Sequence, residues 1–400
     1  MKILLIDDSE FDLDLLEHHL ADLNVTDVTG MLHAADALAL LADGGERFDI
    51  VVCDLQMPGV DGIEFVRALA GTNFAGELIL ATGEEASILR AAEHLARAHG
   101  LRVLGGLQKP VTKAGLRDLL ARHGDGVATR PCHVRRVYDP DDPRRAIAED
   151  EIICHCQPQV RLASGVVTGV EMLARWHHPD DGLVFPDQFV PPAEANGLIT
   201  DLTRAVLNDA LAQARRWRQA GLAHSVAVNV SVDDLGRADL PNLVVGALKR
   251  AGVPPSGLIL EVTESRLMQD ARTVLDVLTR LRLKHIELSI DDFGTGHSSL
   301  AHLRDLPFTE IKIDRSFVHG AHRNPQRAAI LAASLDMARS LGIRCVGEGI
   351  EDADDWNYLR ARGCNVAQGY FIARPMPPRD FVAWLPTWAL RKEELTRATP

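Results

Sequence analysis

Eight short apolar segments follow one another between residues 150 and 370, and stretches with helical periodicity separate most of them. An eightfold alternation of strand and helix over roughly 250 residues has the size and order of a TIM-like barrel, whose chemistry collects at the carboxyl ends of its strands. The segments are IICHCQP (152–158), VTGVEMLARW (167–176), SVAVNV (225–230), LILEVTE (258–264), HIELSIDD (285–292), EIKID (310–314), IRCVGE (343–348) and NVAQGY (365–370).

Residues 1–123 show the same alternation on a smaller scale. Four apolar runs, at 3–6, 48–54, 77–82 and 102–106, are separated by amphipathic segments. This pattern predicts an α/β domain with a doubly wound parallel sheet, in which ligands lie beyond the carboxyl ends of the strands.

Acidic residues stand where two of these N-terminal strands end. Asp7 and Asp8 follow the first run, and Asp54 closes the second. Each alone is an ordinary helix N-cap, but together they would repel one another at one sheet edge unless a divalent cation, most plausibly Mg²⁺, joined them. Asp54 could then attack a phosphoryl group, whose oxygens Thr82 and Lys109 could bind.

This set resembles the receiver domain of two-component response regulators. The matching features are the Asp pair at 7–8, Asp54 before QMPGVDG, Thr82, and the Lys-Pro pair at 109–110. The resemblance implies a flavodoxin-like fold, a phosphoacceptor at Asp54, one Mg²⁺ held by the three aspartates, switch roles for Thr82 and Lys109, and a cognate histidine kinase. Residues 104–107 read Leu-Gly-Gly-Leu where many receivers carry an aromatic switch residue, and this departure leaves the usual rotamer coupling in doubt.

Composition sets the limits between domains and excludes some partners. Residues 124–145 are rich in Gly, Pro and both charge signs, which favours a linker between domains at 1–123 and 146–390. The net charge is −13, and residues 1–123 hold 10 basic against 20 acidic residues. We therefore expect no DNA partner.

No apolar run predicts a signal peptide or membrane insertion, so we expect a cytoplasmic protein. In that compartment Cys154 and Cys156 are expected to be buried reduced thiols or, alternatively, metal ligands.

Polar residues interrupt the apolar pattern near the ends of the barrel strands. Burying an unpaired charge costs several kcal/mol, so such residues are tolerated as structural ion pairs or around cations. Carboxylates and a carboxamide favour hard cations over zinc. Adjacent aspartates could serve two metal positions, an arrangement suited to displacement at phosphorus. The residues are Glu171, Asn229, Glu261, Asp291, Asp292, Lys312, Glu348 and Gln368.

Two cationic side chains accompany this set. Lys312 could orient a nucleophile or neutralise developing charge, and Arg175 offers a planar fork for a phosphate. A Schiff-base lysine, as in barrel aldolases, is the alternative for Lys312, although a carboxylate-rich ring favours its charged amine. The glycines at 294 and 296 predict a mobile loop over the site or, alternatively, a plain tight turn.

The barrel segments resemble the EAL-domain phosphodiesterases of cyclic di-GMP between about residues 146 and 385. The matching stretches, in order, are QPQVRLASGVVTGVEMLARWHHP, VAVNVS, LEVTES, IDDFGTGHSSL, EIKIDRSF, GEGIE and QGYFIARPMP. The resemblance implies hydrolysis of cyclic di-GMP to linear pGpG with two Mg²⁺ or Mn²⁺ ions. It also suggests a homo-oligomer.

The resemblance assigns roles to individual residues. Glu171, Asn229, Glu261 and Asp291 would bind one metal, and Asp291 with Asp292 the other. Lys312 would position water, Glu348 would be a general base or second-metal ligand, and Glu264 would steady the 291–300 loop. The substrate pocket would include Gln157, Arg175, Asp314 and Gln368. Met172, Cys156 and His297 depart from frequent family residues, but none of them is a predicted ligand.

Two other functional classes compete with this hydrolase prediction. A catalytically silent receptor would bind the dinucleotide and relay the signal to a protein partner, but such receptors typically lack metal ligands that this sequence retains. A transcription factor would need a DNA-binding module for which the two predicted domains leave no room. For the hydrolase we expect phosphorylation of Asp54 to control closure of the 291–300 loop, in an unknown direction.

Overall fold

A computed structural model describes the chain at residues 1–42, 47–72, 74–121, 123, 138–139, 141–263, 271–294 and 306–397. The chain divides into two compact units, Met1–Val134 and Arg135–Pro400.

The first unit is an α/β domain with a five-stranded sheet in the order β2-β1-β3-β4-β5, all neighbours parallel. This is the flavodoxin-like order of doubly wound folds, so the predicted fold class is confirmed. Its elements are β1 (Lys2–Ile6), α1 (Glu10–Asp22), β2 (Asp27–Met31), α2 (Ala34–Ala42), β3 (Ile50–Asp54), α3 (Gly62–Ala70), β4 (Glu77–Thr82), α4 (Ala86–Ala98), β5 (Arg102–Gln108) and α5 (Lys113–Leu120).

Burial explains which strands of this domain could be predicted from the sequence. Strands β3 and β4 are buried along their whole length, because helices cover both faces of the sheet, and they read as continuous apolar runs. Strand β2 lies at the sheet edge, has no fully buried residue, and reads DVTGM. Its weak apolar signal accounts for its absence from the sequence prediction.

The second unit is a closed barrel of eight strands in the order β6-β14-β13-β12-β11-β10-β9-β7, closed by pairing of β6 with β7. All eight predicted strands are present, so the TIM-like prediction is confirmed. The strands are β6 (Ile152–Arg161), β7 (Val167–His178), β9 (Ser225–Asn229), β10 (Leu258–Thr263), β11 (Glu287–Phe293), β12 (Glu310–Ile313), β13 (Arg344–Gly347) and β14 (Val366–Ala367), and β8 (Gly182–Val184) forms a hairpin with β7.

The helices of this unit follow the strands along the chain. Helix α8 is the longest described element, and its buried face recurs every three or four residues from Ile199 to Trp217. The helices are α6 (Asp141–Ala148), α7 (Pro186–Ala195), α8 (Ile199–Gln219), α9 (Val232–Leu235), α10 (Leu240–Ala251), α11 (Ala271–Leu283), α12 (Arg315–Val318), α13 (Pro325–Leu341), α14 (Ala353–Ala361) and α15 (Pro378–Arg397), with 3₁₀ turns at Pro255–Gly257 and Ala321–Arg323.

Strand β6 differs from an ideal TIM barrel. It runs antiparallel to both of its neighbours, β7 and β14, whereas the six other pairs of the ring are parallel. The cause lies in the connection, because only residues 162–166 join β6 to β7, and so short a link permits a hairpin but not a crossover. Gln157 therefore faces Glu171 directly across the hairpin.

Cys154 and Cys156 are buried free thiols on β6. Cys154 is 1% exposed and Cys156 is fully buried, and burial raises the pKa of both thiols. Neither belongs to a cluster of potential metal ligands among the described residues. These observations favour the buried-thiol interpretation over the metal alternative.

Candidate active site

A buried lysine lies at the centre of four carboxylates in the barrel. Lys312 on β12 is 1% exposed. Its Nζ lies 2.8 Å from Glu348 Oε1, 2.9 Å from Asp291 Oδ1, 3.2 Å from Glu261 Oε2 and 3.3 Å from Glu171 Oε2. Five strands or strand ends thus place these groups together, because residues at the carboxyl ends of barrel strands meet at one mouth.

The carboxylates form two groups with the spacing of a metal site. Potential ligand atoms of Glu171, Glu261 and Asp291 lie within 4.8 Å of one another, and the same holds for Asp291, Asp292 and Glu348. Asp291 belongs to both groups. The backbone at Asp292 has a positive φ of 54°, and Asp292 contributes to the second group only.

The carboxylates of this centre carry more negative charge than Lys312 alone can balance. Burial raises the pKa of Asp292 to about 6, with a contribution from Asp291. Burial raises the pKa of Glu348 to about 8, although Lys312 opposes the shift. Burial likewise raises the pKa of Glu261, whose Oε1 is buried and accepts no hydrogen bond from the described residues. These oxygen donors fit hard divalent cations.

Lys312 itself is held in its charged form. Burial opposes the charge, but the four surrounding carboxylates together outweigh burial and raise the pKa of Lys312 well above its usual value. A Schiff-base nucleophile needs the neutral amine, so this environment disfavours the aldolase alternative.

Amide side chains orient the carboxylates. Asn229 Nδ2 lies 3.1 Å from Glu171 Oε1 and 3.4 Å from Glu261 Oε2. Gln368 Nε2 donates to Glu171 Oε2 at 2.5 Å and to Gln157 Oε1 at 3.1 Å. The two carboxamides thus hold Glu171 from opposite sides.

Gln159 is a member of this network that the sequence reasoning missed. Its Nε2 donates to Gln368 Oε1 at 3.0 Å, and its side chain is buried. Gln159 stands two residues after Gln157 on β6, so strand alternation places both on one face. That periodicity was the available signal.

Arg175 and Asp314 lie toward the same mouth of the barrel. Arg175 is four residues after Glu171 on β7, and its guanidinium lies 4.9 Å from the Phe185 ring centroid. Asp314 caps helix α12 by accepting from Ser316 N at 2.9 Å, and its charge contributes to the raised pKa of Asp292. Glu264 and residues 295–300 of the predicted loop lie outside the described residues.

The first unit gathers its predicted residues at the carboxyl ends of β1, β3 and β5. Lys109 Nζ lies 2.8 Å from both Asp7 Oδ2 and Asp54 Oδ2. Oxygens of Asp7, Asp8 and Asp54 lie within 4.8 Å of one another, with Asp8 exposed. Thr82 is fully buried at the end of β4. This cluster fits one divalent cation beside an acceptor carboxylate.

Asp12 joins this cluster although the sequence reasoning did not select it. Its Oδ2 lies 3.0 Å from Lys109 Nζ. Burial would lower the pKa of Lys109, but the hydrogen bonds that its ammonium donates to Asp54, Asp7 and Asp12 outweigh burial and raise the pKa. An acidic residue in the first turn of a helix is commonplace, so only the fold distinguishes Asp12.

The Gly-Gly pair before Lys109 has a packing role. A Cβ at Gly106 would lie 2.6 Å from Leu89 Cγ and 2.6 Å from Glu93 Oε1, both on α4. Helix α4 therefore packs directly against β5 at the place where an added side chain would have to fit.

The order of the two sites along the chain defines a class of protein: a doubly wound domain with an aspartate cluster, followed by a carboxylate-lined barrel. A family model for the response regulator receiver domain matches residues 3–121, and one for the EAL domain matches residues 141–375. The chain belongs to the EAL domain family and carries an N-terminal receiver domain.

Individual relatives agree with this assignment. Cyclic di-GMP phosphodiesterase RocR of Pseudomonas aeruginosa is 34% identical over 357 residues, which cover 88% of this chain and 91% of RocR. The bifunctional diguanylate cyclase/cyclic di-GMP phosphodiesterase MucR of the same organism is 42% identical over 243 residues, which are 60% of this chain and only 36% of MucR.

Solved structures resemble the barrel unit. A structure titled PaMucR phosphodiesterase, c-di-GMP complex, matches with a TM-score of 0.58 and 42% identity over 60% of this chain and 98% of that chain. The EAL enzyme Bd1971 in its cAMP- and cyclic-di-GMP-bound form matches with a TM-score of 0.59 and 26% identity over 68% of this chain and 75% of that chain.

None of the helices in the described part of the chain is both long enough and apolar enough to cross a bilayer.

Proposed function

We propose that the barrel hydrolyses one phosphodiester bond of cyclic di-GMP to give linear pGpG with two divalent cations. The observation that carries the proposal is the pair of carboxylate groups sharing Asp291. Glu171, Asn229, Glu261 and Asp291 would hold one Mg²⁺ or Mn²⁺ ion, and Asp291 with Asp292 the other. RocR, similar over most of the chain, bears the name of this activity.

The bound cations would supply charge stabilisation to the entering and leaving oxygens at phosphorus and acidify water. Lys312 stays protonated and would position the attacking water and stabilise developing negative charge. Glu348 Oε1 lies 2.8 Å from Lys312 Nζ, so Glu348 would act as general base or as a ligand of the second cation.

The substrate would lie across the mouth of the barrel. Arg175 would bind a phosphate through its planar fork. Gln157, Gln368 and Asp314 would line the pocket, and Glu264 would steady the 291–300 loop. Gln157 and Gln368 are already hydrogen bonded to each other, which fixes their orientation before substrate arrives.

The test is product identification with purified full-length protein. Wild type with Mg²⁺ or Mn²⁺ should convert cyclic di-GMP to pGpG, and chelation should stop the reaction. Glu171→Gln should lose at least about a hundredfold in kcat, because it removes a ligand charge while preserving side-chain shape. Full activity in this variant, with a normal circular dichroism spectrum, would reject the metal assignment.

A catalytically silent receptor is the second candidate. It predicts saturable binding of cyclic di-GMP without product in excess Mn²⁺. The predicted ligands within the described residues all meet at one mouth, which favours hydrolysis over this alternative.

We also propose that Asp54 accepts a phosphoryl group from a histidine kinase and thereby controls the barrel, within a homo-oligomer. The domain limits adopted are 1–123 and 146–390, with 124–145 as linker. Asp7, Asp8 and Asp54 would hold one Mg²⁺, and Thr82 and Lys109 would bind the phosphoryl oxygens. Comparing hydrolysis rates for wild type, Asp54→Asn and protein treated with a phosphoryl mimic tests the control, and equal rates would reject it.

A further inference from the structure

A tyrosine in the segment predicted as linker is buried against the barrel. Tyr138 is 4% exposed, and its ring centroid lies 4.6 Å from that of Trp176 and 5.7 Å from that of His178. Its hydroxyl donates to Asp181 Oδ2 at 3.1 Å. All three partners belong to the hairpin of β7 and β8 or to its turn. The described part of the barrel unit thus begins with a residue packed on this hairpin.

Trp176 is held by further contacts. It is fully buried, and its Nε1 donates to Glu151 Oε2 at 2.8 Å. Its ring lies edge-on to that of Phe189 of α7, with the two centroids 6.1 Å apart. Tyr138 and Glu151 stand on either side of helix α6 in the chain, so the segment that precedes β6 contacts Trp176 at both of its ends.

The turn of the hairpin is fixed as well. His178 is 3% exposed, and its Nδ1 accepts from the backbone N–H groups of Asp180 and Asp181, both at 3.1 Å. Tyr138 binds Asp181 in the same turn. Aromatic side chains bury large contact areas, so loss of the Tyr138 ring would open a cavity beside Trp176 and His178.

Arg175 lies on the opposite face of the same strand end. Successive residues of a strand point to opposite faces, and the pairing of β6 with β7 is regular from Glu171 to Trp176. Arg175 therefore shares the face of Glu171, whereas Trp176 faces α7. Arg175 is 6% exposed, and its guanidinium lies 4.9 Å from the Phe185 ring centroid. A buried, packed arginine has little freedom to move, so the position of the strand end determines where its guanidinium lies.

We propose that Tyr138 is a positioning residue for substrate binding. By holding Trp176 on the outer face of β7, Tyr138 fixes Arg175 on the inner face and so sets the affinity of the barrel for cyclic di-GMP. This role rests on the proposed function, in which Arg175 binds a substrate phosphate. A cation that is already in place binds phosphate more tightly than one that must be ordered on binding.

Isothermal titration of cyclic di-GMP into the full-length protein in EDTA tests this role. Tyr138→Ala should raise the Kd about tenfold, and Tyr138→Phe, which keeps the ring, should stay within about threefold of wild type. With Mg²⁺, Tyr138→Ala should raise KM by a similar factor and change kcat by less than about threefold, because uniform binding is lost. If Tyr138→Ala does not fold, Tyr138→Leu replaces it, with the same expected direction.

A double-mutant cycle separates positioning from a merely structural role. Arg175→Ala should weaken binding, and adding Tyr138→Ala in that background should change the Kd by less than about twofold, because the group that Tyr138 positions is gone. A general loss of stability would persist in that background. Tyr358→Ala is the matched control, since this partly buried ring of α14 contacts His322 and Arg362. It should lower thermal stability and leave the Kd within about twofold of wild type.

An unchanged Kd in Tyr138→Ala would overturn the positioning role. So would an equal loss of affinity in the Arg175→Ala background or in Tyr358→Ala. The Kd comparison does not require turnover, so a wild type that binds cyclic di-GMP without giving product rejects the hydrolysis and leaves this test decisive. A wild type that does not bind cyclic di-GMP at millimolar concentration would overturn both proposals.

Discussion

Replacing Lys312 by methionine tests whether the barrel carboxylates form a shared cation site, independently of catalysis. At the observed 2.8–3.3 Å, each carboxylate attracts the ammonium by about 5–6 kcal/mol at an effective dielectric constant of ~20. Most of this attraction offsets desolvation, and removing one partner of a buried ion pair costs about 3–5 kcal/mol net. We expect Lys312→Met to destabilise the metal-free barrel by that amount.

Divalent cations should reverse much of this loss. Without the lysine, the carboxylates bind Mg²⁺ more tightly, and a ligand at a hundred times its Kd stabilises the folded state by about 2.7 kcal/mol. Added Mg²⁺ should therefore raise the free energy of unfolding of Lys312→Met by at least about 1 kcal/mol more than that of wild type.

Urea unfolding followed by tryptophan fluorescence is the appropriate assay. All five tryptophans, at 176, 217, 356, 384 and 388, belong to the barrel unit, so the signal reports its unfolding alone. Lys249→Met, at an exposed lysine of α10, is the matched control and should have little effect. A loss below about 1 kcal/mol in EDTA, or equal Mg²⁺ stabilisation of variant and wild type, would refute the reasoning.

Three further predictions concern packing and pH. Gly106→Ala should destabilise the receiver by about 1–3 kcal/mol through overpacking against α4, seen as faster hydrogen exchange in β5, whereas Gly83→Ala, with open space around its Cβ, should not. Trp388→Phe should cost the barrel about 1–3 kcal/mol in urea unfolding, because Trp388 Nε1 donates to the Gly165 carbonyl at 2.8 Å in a buried site. Burial raises the pKa of Glu310 above 4.5, so the folded state binds the Glu310 proton more tightly than the unfolded state does. The free energy of barrel unfolding should therefore fall as pH rises from 4.5 through the raised pKa. Glu310→Gln should flatten this pH dependence of stability, and an unchanged pH dependence would contradict the raised pKa.

Local sequence determined most of the fold. The buried strands could be recognised in the sequence as apolar runs, because both faces of the sheet and of the barrel wall are covered. All eight barrel strands were predicted in this way. The edge strand β2 and the hairpin strand β8 were not, because their partly exposed residues give little apolar signal.

For the candidate site too, some features could be predicted from the sequence and others required the tertiary structure. Carboxylates at strand ends could be selected from sequence, since a charge in an apolar run is visible without a structure. The convergence of Glu171, Glu261, Asp291 and Glu348 on Lys312, the contribution of Asp12 to the receiver cluster and the link through Gln159 required tertiary structure. Distances between residues far apart in the chain depend on strand order and register, which local periodicity does not encode.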